Sequence, residues 1–289
     1  MQLQLDDISY ASSARSRPAR TFIRVVENTT GRLQLLARGR DSLRAHERNH
    51  GFWESMMRGY GLHLDIACGD LAAIPRQGPL VIVANHPFGI LDGLVIGHLL
   101  DRLRGDFRIM AHSAFMASPQ VGRHILPIDF SGTKTAERAN LQTRAMATAY
   151  LKSGGCIGIF PGGTVSTASR PFARPCDPTW RLFAARMIQR ANATVVPIWF
   201  DGANSRLFQL SSHLNYTLRM ALLIREFRAR VNRPVRLGIG QPISPGALAR
   251  FYGNPKEMMD FLRAATYGMA DTPLDPMQLG YEFEGAYRH

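Results

Sequence analysis

A run of five apolar residues, Leu80-Val81-Ile82-Val83-Ala84, passes without a break into Asn85-His86-Pro87-Phe88-Gly89-Ile90-Leu91-Asp92-Gly93. Unbroken apolar character over so short a length, rich in β-branched residues, is the pattern of a strand covered on both faces. Pro87 and Gly89 end that strand, and Asp92 is placed to cap a helix beginning near Gly93-Leu94-Val95. A histidine and an aspartate therefore fall at the carboxyl end of a strand, where open α/β sheets collect their ligands. Asp92 can accept a hydrogen bond from one ring nitrogen of His86, leaving the other free to take a proton from a hydroxyl. The same two residues also suit a satisfied turn histidine beside a helix-capping aspartate.

Strands and helices alternate through the rest of the chain. Strands are predicted at Phe107–Ala111, Ile125–Asp129, Cys156–Phe160, Thr194–Trp199 and Val235–Gly240. Helices are predicted at Leu94–Leu103, Thr135–Lys152, Pro178–Ala193, Leu214–Val231 and Pro255–Met269. The alternation predicts an α/β fold with a largely parallel central sheet flanked by helices. Before it, Phe22-Ile23-Arg24-Val25-Val26 leads to Leu33, Leu35 and Leu36, interleaved with Arg32, Arg38, Arg40, Arg44 and Arg48. That reads as one or two amphipathic helices broken at Gly31, packed on the domain or lying on an anionic bilayer. Phe52 and Trp53 precede a short helix ending near Gly59. Residues 1–60 are expected to form a basic N-terminal helical extension and residues 61–289 one domain.

Within the helix predicted at 214–231, Met220, Leu223, Ile224, Phe227 and Val231 make a continuous apolar stripe. Arg219, Arg225, Arg228 and Arg230 flank it, as a solvated face or as contacts to lipid phosphates.

The chain of 289 residues is long enough to bury a sizeable core, and its net charge of +13 favours an anionic partner. Nucleic acid, acidic lipid headgroups and a phosphorylated cofactor all satisfy that charge. No zinc-finger spacing or aromatic RNP-like pattern supports nucleic acid, and no Gly-x-Ser-x-Gly elbow supports a serine hydrolase. Cys68, Cys156 and Cys176 have no metal-ligand spacing and are expected to pack in a core in a reducing compartment. Met1 to Arg20 lacks the apolar core of a signal peptide, and no run of about eighteen apolar residues occurs. His98 and His112 read as structural.

A second strand-to-turn stretch is Gly158-Ile159-Phe160-Pro161-Gly162-Gly163-Thr164-Val165-Ser166-Thr167. Its glycines permit close backbone approach, and its N–H groups with Thr164 and Ser166 suit an oxyanion. Pro-Gly-Gly turns are common, and by themselves they are usually structural.

Four blocks in order now resemble one family. They are Asn85 to Gly93, Ile125 to Asp129, Phe160 to Ser166, and Val196-Pro197-Ile198-Trp199-Phe200-Asp201-Gly202-Ala203-Asn204-Ser205. Together they resemble the glycerolipid (lysophosphatidic acid) acyltransferase superfamily, closest to its hemolysin-like branch, which includes lyso-ornithine-lipid acyltransferases. The resemblance covers roughly residues 20 to 250. It implies transfer of an acyl group from acyl-CoA or acyl carrier protein to the hydroxyl of a lysolipid, on the inner face of the cell membrane. It also implies no metal and no bound cofactor. His86 would be the general base and Asp92 its orienting partner, with Asn85 bracing the turn. Phe160, Pro161, Gly162, Gly163, Thr164 and Ser166 would bind the acceptor or the oxyanion.

The chain departs from the family pattern at three points. His86 and Asp92 are separated by five residues where four are common, a spacing shared by the hemolysin-like branch. Most members carry Glu where this chain has Gly162 and Arg where it has Val165; the preceding block often ends in Arg where it has Phe130. Both arginines of the expected phosphate grip are therefore missing, which favours a zwitterionic acceptor such as lyso-ornithine lipid over lysophosphatidic acid. Arg123, His124, Lys134, Arg170 and Arg174 are the substitute cations the sequence offers. The same departures also admit a catalytically degenerate lipid-binding protein of this fold.

Overall fold

The computed structural model describes residues 9–14, 16–46 and 50–283; Arg48, one of the predicted helix arginines, lies outside them. In chain order the helices and strands are α1 (Arg17–Thr30), α2 (Arg32–His46), α3 (Phe52–Gly59), β1 (His63–Cys68), β2 (Leu80–Ala84), α4 (Ile90–Leu103) and β3 (Phe107–His112). Then come α5 (Pro119–Gly122), β4 (Ile125–Ile128), α6 (Lys134–Lys152), β5 (Cys156–Ile159) and a small hairpin of β6 (Thr167–Ala168) and β7 (Pro175–Cys176). The chain continues through α7 (Leu182–Ala191), β8 (Thr194–Phe200), α8 (Arg206–Leu214), α9 (Tyr216–Arg230), β9 (Pro234–Ile239), α10 (Pro245–Leu248) and α11 (Pro255–Tyr267).

Seven strands form one sheet in the order β1-β9-β8-β2-β5-β3-β4. From β8 to β4 every pairing is parallel, whereas β9 meets β8 antiparallel and carries β1 parallel to itself. The predicted largely parallel sheet is therefore present, with a reversed two-stranded edge. β1 was absent from the predicted strands because its burial is irregular, with exposed positions interrupting the half-buried ones.

β2 lies in the middle of the sheet and is buried along its whole length. Leu80, Ile82 and Ala84 enter the core on one face, and Val81 and Val83 enter the core on the other. Each fully buried branched side chain contributes about 1.5–3 kcal/mol relative to exposure, so this strand cannot slip register cheaply. The first face is covered by α3, α4 and α9, the second by α6, α7 and α11. Leu35, Leu43, Trp53 and Met56 of the N-terminal helices join the first core.

Gly31 ends α1 in the left-handed region at φ 119°, as its predicted break requires. Phe52 and Trp53 lie inside α3 and do not precede it. Helix α9 begins only at Tyr216, because Asn215 caps it through the N–H groups of Thr217 and Leu218. Its stripe is buried from Met220 to Phe227, with Val231 half-buried just past the helix end, but Arg219 is not on a solvated face: it is fully buried. Of the cysteines, Cys156 and Cys176 are buried, and Cys68 is exposed, contrary to a core role.

Helices α3 and α4 cross at Gly97, where an added methyl would stand 2.2 Å from the Trp53 ring. Gly97→Ala is expected to lower stability by about 1–3 kcal/mol, the usual penalty of overpacking. The denaturant midpoint reads this directly, and an unchanged midpoint would refute the tight crossing.

Candidate active site

The parallel strands direct their carboxyl ends to one edge, where β2 delivers His86 and neighbouring β5 delivers Phe160. His86 Nδ1 lies 2.9 Å from Asp92 Oδ2. The same oxygen accepts the N–H groups of Phe88 at 2.9 Å and Gly89 at 3.0 Å. A carboxylate oxygen only accepts, so Nδ1 donates and the lone pair sits on Nε2. Asp92 is fully buried, while the imidazole keeps 18% of its surface open.

Local backbone chemistry creates this pairing. Gly89 adopts φ 79° and forms the N-cap of α4, so the helix begins at Ile90 and Asp92 occupies its third position. The expectation that Asp92 itself precedes the helix is thus corrected by one turn: its carboxylate reaches back to the N-cap N–H. Burial pushes the Asp92 carboxyl above the usual carboxylate range, against the opposing pull of His86 and the two N–H groups.

The His86 ring stacks on Phe160 with centroids 4.1 Å apart. The two turns are also joined through backbone, since Ser166 N–H donates to the His86 carbonyl at 2.8 Å. Within the second turn, Gly163 N–H closes onto the Phe160 carbonyl and Gly163 is exposed in the left-handed region at φ 71°. The Pro161 carbonyl accepts from Arg181 N–H. Thr164 is half-buried and its Oγ1 accepts from Arg219 at 3.1 Å. The Ser166 hydroxyl donates to Asp177 Oδ1.

Asn85 is drawn into the sheet. Its Nδ2 donates to the Phe200 carbonyl at 2.9 Å and its Oδ1 accepts from Phe200 N–H at 2.7 Å, tying β2 to the end of β8. That braces the turn and occupies the amide. Arg123 is not brought to the site. It precedes β4, at the amino edge of the sheet opposite His86, with Nε bonded to His124 Nε2 at 3.0 Å. His124 stacks on Phe107 at the same far edge. Lys134, Arg170 and Arg174 are exposed.

The guanidinium that does reach the second turn belongs to Arg219. It donates to Thr167 Oγ1 at 2.6 Å, Ser212 Oγ at 2.8 Å and the Val165 carbonyl at 2.7 Å, besides Thr164. Its signal in the sequence was positional: Arg219 precedes Leu223 by four residues and Phe227 by eight, which places it on the buried face of α9. Asp177 was also missed, and an Asp-Pro pair gives no signal beyond a turn.

Residues 9–14 lie against this region, held by Glu27 of α1. Glu27 accepts from Tyr10 N–H at 2.6 Å and from the Ser9 hydroxyl at 2.6 Å. Ala11 and Ala14 pack with Val165 and Leu223, and the Tyr10 hydroxyl comes within 3.9 Å of the position a side chain on Gly89 would take. The same segment borders a groove of about 580 Å³, lined by Ser9, Ala11, Arg20, Arg24, Val25 and Ala114 and not by His86. Among the described residues no cluster of three His, Cys, Asp or Glu side chains is arranged to hold a metal.

Residues 65–201 match the sequence model of the Acyltransferase family. That span contains both turns. Two lyso-glycine lipid O-acyltransferases are similar to this protein: one from Phocaeicola vulgatus at 26% identity over 60% of this chain, and one from Bacteroides thetaiotaomicron at 25% over 59%. In each case the match spans 62% of the relative's own length. Among solved structures, the 1-acyl-sn-glycerophosphate (LPA) acyltransferase PlsC from Thermotoga maritima is 14% identical, with a TM-score of 0.49 over 88% of this chain and 98% of that one.

A carboxyl whose pKa is raised on folding binds its proton more tightly in the native state, so native stability falls as pH rises through that window. Asp92→Asn keeps an acceptor for the three donors and removes the titration. Its stability relative to the parent is therefore expected to grow as pH climbs above about 4, the ordinary aspartate value. Denaturant midpoints across pH measure this, and a parent that gains on the variant over the same climb contradicts it.

Proposed function

We propose that this protein is an O-acyltransferase that moves a fatty acyl group from an acyl thioester to the hydroxyl of a lysolipid. The observation that carries the reading is the His86–Asp92 pair, 2.9 Å apart with a buried carboxylate and an open imidazole, inside the span that matches the family. His86 Nε2 takes the proton of the acceptor hydroxyl as its oxygen attacks the thioester carbonyl. Asp92 fixes the tautomer and stabilises the imidazolium that forms. The tetrahedral oxyanion then collapses, expelling the thiolate, which recovers the proton from His86. Exposed Gly163 and half-buried Thr164 lie on the second turn, on the same edge of the sheet, and are assigned to the oxyanion or the acceptor headgroup. The donor is acyl-CoA or acyl carrier protein.

An amino-acid-linked lysolipid is the acceptor best supported. Val165 and Phe130 stand where arginines would grip a phosphate monoester, and Arg219, which reaches the Val165 carbonyl, already donates to four protein acceptors. Both similar relatives are named for a lysolipid with an amino-acid headgroup. Approach to the lipid is assigned to the inner membrane surface through α1, which exposes Phe22 and Val25 beside Arg20. Among the described residues no helix is long and apolar enough to cross a membrane.

With palmitoyl-CoA and a lyso-amino-acid lipid in mixed micelles, His86→Ala is expected to reduce acyl transfer by at least about a hundredfold, the lower range for losing a general base. Full activity in that variant would sink the mechanism. In the same assay, kcat/KM for the lyso-amino-acid lipid should exceed that for lysophosphatidic acid by about tenfold or more, one charge-assisted contact being worth about 1.5–3 kcal/mol. The reverse preference would overturn the acceptor assignment.

A further inference from the structure

Gly162 is the residue where the family pattern has Glu, and the space a side chain would need there is taken. A methyl built on Gly162 would stand 3.1 Å from Asp177 Cβ, 3.3 Å from its carboxyl carbon and 3.3 Å from Pro178 Cδ. Asp177 is fully buried. It arrives from the extended segment that follows β7, so the carboxylate at this point comes from fifteen residues further along the chain.

The contacts of that carboxylate are directed at the site. Oδ1 accepts the His86 backbone N–H at 3.1 Å and the Ser166 hydroxyl at 2.5 Å. Oδ2 accepts the Trp180 indole N–H at 2.9 Å. Behind it, the Asp177 N–H donates to the Tyr267 hydroxyl at 2.8 Å, and its carbonyl accepts from Arg263 Nη2 at 3.0 Å and Gly280 N–H at 2.8 Å. The residue is thus anchored to α11 and the C-terminal segment and reaches forward to the catalytic turn.

The effect on His86 follows from which of its groups are held. Asp177 takes its N–H, Ser166 N–H takes its carbonyl, and Asp92 takes Nδ1. Both peptide groups flanking its α-carbon and one end of its ring are therefore fixed, and two of these three restraints meet at Asp177 and Ser166. We propose that Asp177 is a positioning residue for acyl transfer: one buried carboxylate oxygen clamps the His86 amide to the Ser166 hydroxyl and sets the separation between the base and the glycine-rich turn. The inference rests on the reading of His86 as the base. Asp177 touches no reacting atom.

Asp177→Asn replaces one of the two acceptor oxygens with a donor. Set toward His86 and Ser166, the new amide opposes two donors; set toward Trp180, it opposes the indole N–H and strains the clamp. Misplacing a catalytic group by about 1 Å costs on the order of a hundredfold in rate, so kcat should fall by about 10- to 100-fold with KM for the acceptor within about threefold of the parent. Trp180→Phe is the structural control. It removes one hydrogen bond from the same carboxylate without touching His86, and should lower the melting temperature while holding kcat within about threefold, as expected for a change confined to stability.

The test is steady-state kinetics with palmitoyl-CoA and a lyso-amino-acid lipid, plus thermal unfolding, on the full chain carrying Asp177→Asn, Trp180→Phe, His86→Ala and the Asp177→Asn/His86→Ala double change. Support is a kcat loss in Asp177→Asn well beyond that of Trp180→Phe at similar melting temperature, with little further loss in the double variant. If the two single variants lose kcat in step with their melting temperatures, or the Asp177→Asn loss multiplies undiminished onto His86→Ala, the proposal is overturned. Should residual activity of His86→Ala be too low to measure, the comparison with Trp180→Phe decides alone. Asp177→Glu replaces Asn should Asn not fold; it keeps the carboxylate and shifts its oxygens, so parental kcat overturns the clamp and a selective kcat loss supports it. A fully active His86→Ala is a different outcome, which removes the base assignment itself.

Discussion

One buried oxygen, Asp92 Oδ2, holds together the turn on which the site depends. It accepts three donors at 2.9–3.0 Å: a ring nitrogen of His86 and the backbone N–H groups of Phe88 and Gly89. The N–H groups would otherwise be orphans at the start of α4, and the ring nitrogen would be free to rotate. A single acceptor therefore starts a helix, shapes a turn and chooses a histidine tautomer. Burial raises the energy of that charge, and three short hydrogen bonds to one atom offset it.

Around this point the fold supplies stiffness in layers. β2 is buried on both faces, so its end is a fixed origin for His86. Asn85 ties that end to β8, Phe160 backs the imidazole, and Ser166 with Asp177 holds the backbone on either side. Arg219 plays the matching part on the second turn, its guanidinium spread over acceptors from Thr164 to Ser212. On the proposed reading, catalysis asks for one flexible group, the lipid acceptor, to meet a base that does not move.

The basic charge of the chain divides in the structure. Arg219 and Arg263 are interior struts, and Arg228 and Arg230 donate to backbone carbonyls of Thr30 and Pro234. Arg20, Lys134, Arg170 and Arg174 remain exposed. A net charge counts both kinds alike, and it overstated how many cations a membrane or substrate would meet. Arginine is suited to the interior role because its planar fork satisfies several carbonyls and hydroxyls at once.

The α/β architecture and the pairing of His86 with Asp92 were legible in the sequence because both depend on local pattern. An apolar run of strand length, a Pro-Gly turn and a carboxylate within one helical turn leave little freedom. The edge strand β1 was not legible, since its half-exposed residues carry no clear period. Nor was the far placement of Arg123, which depends on strand direction: a residue before β4 lies at the amino edge, whatever its chemistry. Spacing along α9 marks Arg219 as buried, but the partners that Asp177 and Arg219 reach lie beyond any local pattern, across 91 positions to His86 and across 55 to Thr164. Contacts of that span are set by how the layers pack, and only the folded chain brings a carboxylate to the glycine at 162 and a guanidinium to the threonine at 164.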